Sequence, residues 1–194
     1  LRYWRNDVLL VDSYPVIIAI WKWLQKATPD DIERLPEIKR GQSTDDVKFE
    51  CQEAKWLMGF IVNEGVNSPR KSMSMFSSPQ KLKSTKTRIA NNLHKIRHWQ
   101  IELGDYRDIP NQEATFFVDP PYKVGGEHYV KSNKVLDYAE LGDWCKSRLG
   151  QTIVCENSAA TWLPFRHLKT MRGSRKTTTE VVWTNMPDDQ LSLM

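Results

Sequence analysis

Cysteine is scarce in this sequence. Cys51, Cys145 and Cys155 are odd in number and far apart, with no CxxC pair. Neither a disulfide framework nor a zinc site is predicted from them, and three reduced, mostly buried thiols are expected. Histidine is as sparse. Of His94, His98, His128 and His167, the first two are i,i+4 neighbours without a nearby third acidic ligand, which favours a solvated helix face over a metal pair, so no metal is expected. Long apolar runs are also missing. Val16–Trp21 is far short of a bilayer span and lacks a signal-peptide cleavage pattern, so the expectation is no membrane partner and a cytoplasmic location. Acid is absent from Arg70 to Gln100, a stretch that holds Arg70, Lys71, Lys81, Lys83, Lys86, Arg88, Lys95 and Arg97. The net charge of the chain is only +4, so this one-signed segment points to a polyanion partner rather than to a merely solvated face.

What is present describes a globular chain. Its 194 residues, 40% hydrophobic and 27% charged, suffice for one unit with a substantial core and an inserted subdomain. DVLLVDSYP, residues 7–15, reads as a short buried strand ending on Asp12, and VIIAIWKWLQKA as the helix after it. TPDDIERL offers Thr28 as N-cap and Pro29 at the first helical position. In 44–65 the spacing of Val47, Cys51, Ala54, Met58 and Ile61 predicts a helix that Gly65 would end. A second helix is predicted from Ser78 and Pro79 to about Trp99, carrying most of the basic residues. ATFFVD, QTIVCEN and TTTEVVWTN read as strands and DYAELGDWCKSRLG as a helix closed by Gly150, with PPYKVGGEHYVKSN a long loop and MPDDQLSLM a trailing end. Apolar strands separated by helices predict an open α/β sheet, whose ligands bind beyond the carboxyl ends of the strands. Asp12, Asp119 and Glu156 each stand at such an end.

The strand ATFFV runs into Asp119, Pro120, Pro121 and Tyr122. An exocyclic base amine is a poor nucleophile because its lone pair is delocalised into the ring. Accepting hydrogen bonds from both amine hydrogens drives the nitrogen toward tetrahedral geometry. The Asp119 carboxylate supplies one acceptor, and a backbone carbonyl in a rigid Pro-Pro turn, most simply that of Pro120, supplies a second. Tyr122 is placed to stack on an extruded base.

This DPPY string after an apolar strand resembles the catalytic motif of S-adenosylmethionine-dependent DNA adenine-N6 methyltransferases of the Dam-like group. LLVDSYP is similar to the strand whose terminal acid, here Asp12, binds the cofactor ribose, and GDYRDIP to the element in which Asp105 and Tyr106 would flank the cofactor adenine. TEVVWTN is similar to the group's closing strand. The resemblance implies a Rossmann-like class I methyltransferase sheet with a helical, basic target-recognition insertion. Residues 1–40 would then be the first part of the catalytic domain, 41–103 the target-recognition region and 104–194 the catalytic part with DPPY. It also implies Asp119, Pro120, Pro121 and Tyr122 as catalytic and Asp12, Asp105, Tyr106 and Asp119 as cofactor-binding. The eight basic residues of 70–97 would face double-stranded DNA. Trp162 or Phe165 would lie near the flipped base if not in the core, where Trp183 is expected.

One element of the family pattern, the FxGxG loop after the first strand, is not found in these residues. The expectation is that the sequence lacks its true N-terminus or that another chain supplies the segment. Two alternatives stand beside the leading one: an rRNA guanine-N2 methyltransferase, and a nucleic-acid-binding chain without catalysis.

Overall fold

A computed structural model describes residues 5–63, 66–73, 75, 77–130, 134–172 and 177–186. Gly65 and the tail from residue 187 lie outside the described residues, as do positions 131–133 of the predicted loop. The chain is mixed α/β and divides into two compact units, residues 1–106 and 107–194. Among the described residues no helix is long and apolar enough to cross a membrane.

In the first unit, β1 (Leu9–Asp12) pairs in parallel with β2 (Gln100–Leu103), Asp12 opposite Leu103. α1 (Pro15–Leu24) follows β1 at once. Pro15 opens it and the Asp12 carboxylate takes the Tyr14 amide at 2.7 Å, so the acid closes the strand-to-helix turn. α2 (Pro29–Glu33) has Thr28 and Asp31 as a reciprocal cap, each side chain bonding the other's backbone amide. Ile20, Leu24, Ile32, Ile38, Met58, Val62, Leu82 and Ile96 form a continuous core with their neighbours.

The helix predicted over 44–65 is shorter. Its first turn is a separate 3-10 turn at Thr44–Asp46, because the Ser43 hydroxyl takes the Asp45 amide and the Asp46 carboxylate takes that of Ser43. Val47 is then extended, and α3 covers only Gln52–Ile61. The basic helix is also shorter than predicted. α4 runs Pro79–Ala90 with Ser78 as its cap, the Asn92 side chain takes up the Arg88 carbonyl at 2.7 Å, and a 3-10 turn at Leu93–Ile96 leads into β2.

In the second unit the strand order is β3 (Phe116–Val118), β4 (Thr152–Asn157), β6 (Thr177–Thr184), β5 (Arg166–Arg172). β3 and β4 are parallel, joined by a crossover through α5 (Tyr138–Lys146), while β6 runs antiparallel to both its neighbours. Phe116, Val154, Val181 and Trp183 are buried in this unit's core together with Leu141 and Cys145 of α5 and Leu163. The strand before DPPY is buried on one face only, not as the buried strand that the sequence predicts. Phe116 is buried, but Phe117 points to the opposite face and is 66% exposed. Cys145 is buried, whereas Cys51 and Cys155 are half-buried, and all three are free thiols.

Candidate functional site

The turn after β3 is fixed from several sides by short-range chemistry. Pro120 and Pro121 limit the backbone and contribute no amide hydrogens. The Tyr138 hydroxyl, at the start of α5, donates to the Pro121 carbonyl. Glu156, on β4, has no exposed surface, and its carboxylate accepts from the Lys123 amide at 2.8 Å, the Asn157 amide at 2.9 Å and the Trp162 indole at 3.1 Å. A buried carboxylate is tolerable when its lone pairs meet donors in this way. Next to it, the Asn157 side chain donates to the Val124 carbonyl at 2.6 Å. The loop then folds back so tightly that a Cβ on Gly126 would clash with the Tyr122 carbonyl oxygen. Strand β4 thus grips the segment that leaves β3, and Gly126 closes it.

Within this frame Asp119 and the Pro120 carbonyl stay uncommitted: among the described residues no protein donor reaches either. Asp119 has an exposed surface, yet its carboxyl pKa is raised, first by partial desolvation and then by the charges of Glu180 and Glu156. The exposure shows that no sealed pocket is needed for this; protein mass on one side and two nearby acids suffice. Tyr122 is pushed up to about 12 by burial and by Asp119, and Cys155 to about 11 by the same two causes. The face around Asp119 therefore disfavours added negative charge and favours donors or neutral groups. An aromatic group adjoins the turn, with the Trp162 ring 5.4 Å from that of Tyr138 and 5.2 Å from that of Phe165. Trp162 is committed to Glu156 through its N–H, and Trp183 is buried.

In the first unit, Asp12 ends β1 and Asp105 lies two residues past the end of β2, so the two acids stand at the carboxyl ends of neighbouring parallel strands. The Gly104 amide donates to the Asp12 carbonyl at 3.2 Å and holds the β2 exit against β1. One Asp12 carboxylate oxygen is used by the Tyr14 amide; among the described residues no donor reaches the other. Burial raises the Asp12 pKa, and the Tyr14 bond opposes the rise. Tyr106 follows at the start of a 3-10 turn, Tyr106–Asp108.

The basic segment is not uniform. Lys71 is paired with Asp45 at 2.6 Å. Lys86 donates to the Leu35 carbonyl at 2.7 Å, its pKa drawn down by burial. Arg97 donates to the carbonyls of Gln25 and Ala27. Arg70, Lys81, Lys83 and Arg88 are exposed, and Lys95 is half-exposed. Among the described residues no group of His, Cys, Asp and Glu side chains could hold a metal ion.

Tyr138, Asn157, Glu180 and Gly126 were not legible as parts of this site. Tyr138 and Glu180 sit in ordinary helix-start and strand contexts, and Gly126 reads as a flexible loop glycine. The EN pair at the end of β4 was the available signal, since a carboxylate closing an apolar strand needs partners. No protein-family model matches the chain, and no curated protein matches it.

Proposed function

We propose that the chain carries the target-binding and catalytic residues of a Rossmann-like, S-adenosylmethionine-dependent methyltransferase that modifies the N6 amine of an extruded adenine in double-stranded DNA. The observation that carries this reading is the clamped turn Asp119–Tyr122 at the end of a parallel strand, with one carboxylate and one carbonyl that no donor reaches among the described residues. A flipped adenine amine has two hydrogens to donate. Asp119 accepts one and the Pro120 carbonyl the other, which localises the nitrogen lone pair. The raised pKa of Asp119 makes it the stronger acceptor and lets it take up the proton released when the nitrogen is alkylated. Tyr122, neutral under all physiological conditions, offers a ring face for the extruded base.

The fold supports the class. Taken singly, the pair β2–β1 has the order and parallel sense of strands 3 and 2 of the doubly wound sheet, and β3–β4 those of strands 4 and 5. The residues fit the adenosine end of the cofactor: Asp12 has one carboxylate oxygen that no donor reaches among the described residues, open to ribose hydroxyls, and Asp105 and Tyr106 follow the neighbouring strand end. No residue of this chain is assigned to the methionine end. When bound, S-adenosylmethionine supplies an electrophilic methyl group.

The test uses the polypeptide expressed from its complete natural reading frame, duplex DNA and methyl-labelled S-adenosylmethionine, followed by nucleoside analysis. Label is expected in N6-methyladenine, and Asp119→Ala abolishes it. Absence of label in any duplex overturns the proposal, and label in guanine N2 of RNA moves the substrate.

A further inference from the structure

The exposed side of α4 has an order that its charge count alone does not reveal. Leu82 and Ala90 are buried, Ile89 and Lys86 are half-buried, and they define the side that packs. At 3.6 residues per turn, the opposite side carries Gln80, Ser84, Thr87 and Asn91 in one row, with Lys81 and Arg88 along one flank and Lys83 on the other. All seven are exposed. Ser84 turns its hydroxyl back to the Lys81 carbonyl at 2.9 Å, which leaves two carboxamides and the Thr87 hydroxyl as the polar tips of the row.

The acids Glu33 and Glu37 act on Lys86, which is half-buried on the packed side of α4. That lysine is tied to the Leu35 carbonyl and anchors the helix. From Arg70 to Gln100 the sequence adds no acid.

We infer that α4 is a base-reading helix that lies in the major groove of duplex DNA, with Gln80, Thr87 and Asn91 on base edges and Lys81, Lys83 and Arg88 on the bordering phosphates. The inference rests on the proposal that the protein acts on DNA. Three physical features support it. A B-form major groove, about 12 Å wide, admits one α-helix. Carboxamides pair in bidentate fashion with adenine N6 and N7, and a threonine hydroxyl serves either base type. Cations on both flanks of a neutral row match the two phosphate backbones that border a groove, whereas a surface that only attracts counter-ions needs no such sorting. Gln80 and Asn91 are separated by a rise of about 16 Å, close to five base-pair steps at about 3.4 Å each. The deep, narrow major groove of A-form RNA does not admit a helix, so the same face discriminates against double-stranded RNA.

The experiment is a binding measurement that needs no methyl transfer. Fluorescein-labelled duplexes with ten randomised central base pairs are selected on the full polypeptide, and affinities for the selected duplex and the unselected pool are read by anisotropy across a salt series. Gln80→Ala and Asn91→Ala should each lower affinity for the selected duplex about tenfold and leave the pool affinity unchanged. Lys81→Ala, Lys83→Ala and Arg88→Ala should weaken both equally and reduce the slope of log K against log salt by about one each. All five positions are exposed and alanine is the best helix former, so α4 persists in the variants. The inference is overturned if no duplex is bound, if the glutamine and asparagine variants keep the full preference, or if A-form RNA competes as well as the selected duplex. Loss of methylation with this pattern intact would sink the methyltransferase reading alone. Methylation with site choice untouched by Gln80→Ala and Asn91→Ala would sink the role of α4 alone.

Discussion

Glu156 accepts the Lys123 amide at 2.8 Å, so the penultimate residue of β4 holds the chain that leaves β3. This bond ties the proposed catalytic turn to the interior of its own unit. Its energetic weight follows from burial: the same carboxylate also satisfies the Asn157 amide and the Trp162 indole. Glu156→Ala leaves three donors without an acceptor and is expected to lower stability by at least about 3 kcal/mol, since each orphaned donor costs about 1–3. Glu156→Gln keeps one oxygen for Lys123 and Trp162 and turns its amide toward Asn157. It should therefore cost less, about 1–2 kcal/mol. Urea unfolding of both variants checks the order, and equal losses would contradict the bond count.

Two neighbouring glycines should behave differently for separate reasons. Gly126 is buried, and a Cβ there would also come within 2.9 Å of the Tyr122 amide nitrogen. Gly126→Ala must push Tyr122 and its turn out of place, at about 1–3 kcal/mol and with loss of the proposed methyl transfer. Gly125 has φ +89° and open space around it. Gly125→Ala therefore meets backbone strain only, about 1 kcal/mol, and should leave most activity. Parallel thermal melts and labelling assays separate the two causes.

Asp119 is expected to show opposite signs for stability and activity. Its folded-state pKa is raised, so the folded protein holds this proton more tightly than the unfolded chain does. Stability from this group is then lost as pH rises from the ordinary aspartate pKa, about 3.9, through the raised folded value, and the ionised carboxylate is a net cost at neutral pH. Asp119→Asn removes that cost and should raise the melting temperature at pH 7. The gain stays below about 1 kcal/mol because the exposed surface of Asp119 screens its charge. In the proposed reaction the same change replaces one acceptor by a donor facing the target amine and should lower methyl transfer about 100-fold or more. A lower melting temperature in the variant would show that Asp119 is a structural cap instead.

The parts of this architecture that were legible are those where one short-range rule governs. Thr28, Pro29 and Asp31 set the start of α2, and Ser78 with Pro79 the start of α4, because capping chemistry acts within three residues. Asp12 and Asp119 were readable because an acid after an apolar run is costly without a purpose. β2 was not legible: four residues, Gln100–Leu103, bury only Ile101 and offer no alternation to detect. β5 is built of Arg166, His167, Lys169 and Thr170 around a register shift, and its strand character comes from pairing with β6 rather than from its own residues. The clamp on the turn was hidden for a related reason. Glu156 and Lys123 are 33 positions apart in sequence, and only the parallel pairing of β3 with β4 brings them together.

Asp45 gives a second pH-dependent contribution of the opposite sense. Its carboxylate bridges Lys55 and Lys71 at 2.6 Å each, and the two ammonium groups lower its pKa to about 2. A depressed folded pKa supplies stability that is full above the ordinary carboxylate range and is lost as pH falls toward about 2. Asp45→Asn should melt slightly lower at pH 7, with the difference shrinking in 1 M salt and vanishing near pH 2. It also releases Lys71, so duplex affinity should rise by a small factor and the salt slope steepen by up to about one. Anisotropy on the variant reads both effects.

The three thiols should be slow to alkylate for a reason separate from access. Burial pushes Cys145 up to about 12 and Cys155 to about 11, the latter helped by the charges of Asp119 and Glu180, and Cys51 is raised as well. The thiolate is the reactive species, and at pH 8 a thiol with a pKa near 11 has roughly a hundredth or less of the thiolate of a free cysteine near 8.5. Cys155 lies on β4 between Glu156 and Val154 and is half-buried, so reagent can reach it. Iodoacetamide labelling of Cys155 at pH 8 should therefore run about two orders of magnitude slower than that of a free cysteine. The rate should keep rising with pH up to about 11. Asp119→Asn removes one of the charges that raise the thiol pKa and should speed labelling at pH 8, a shift that a purely steric barrier at this strand would not produce.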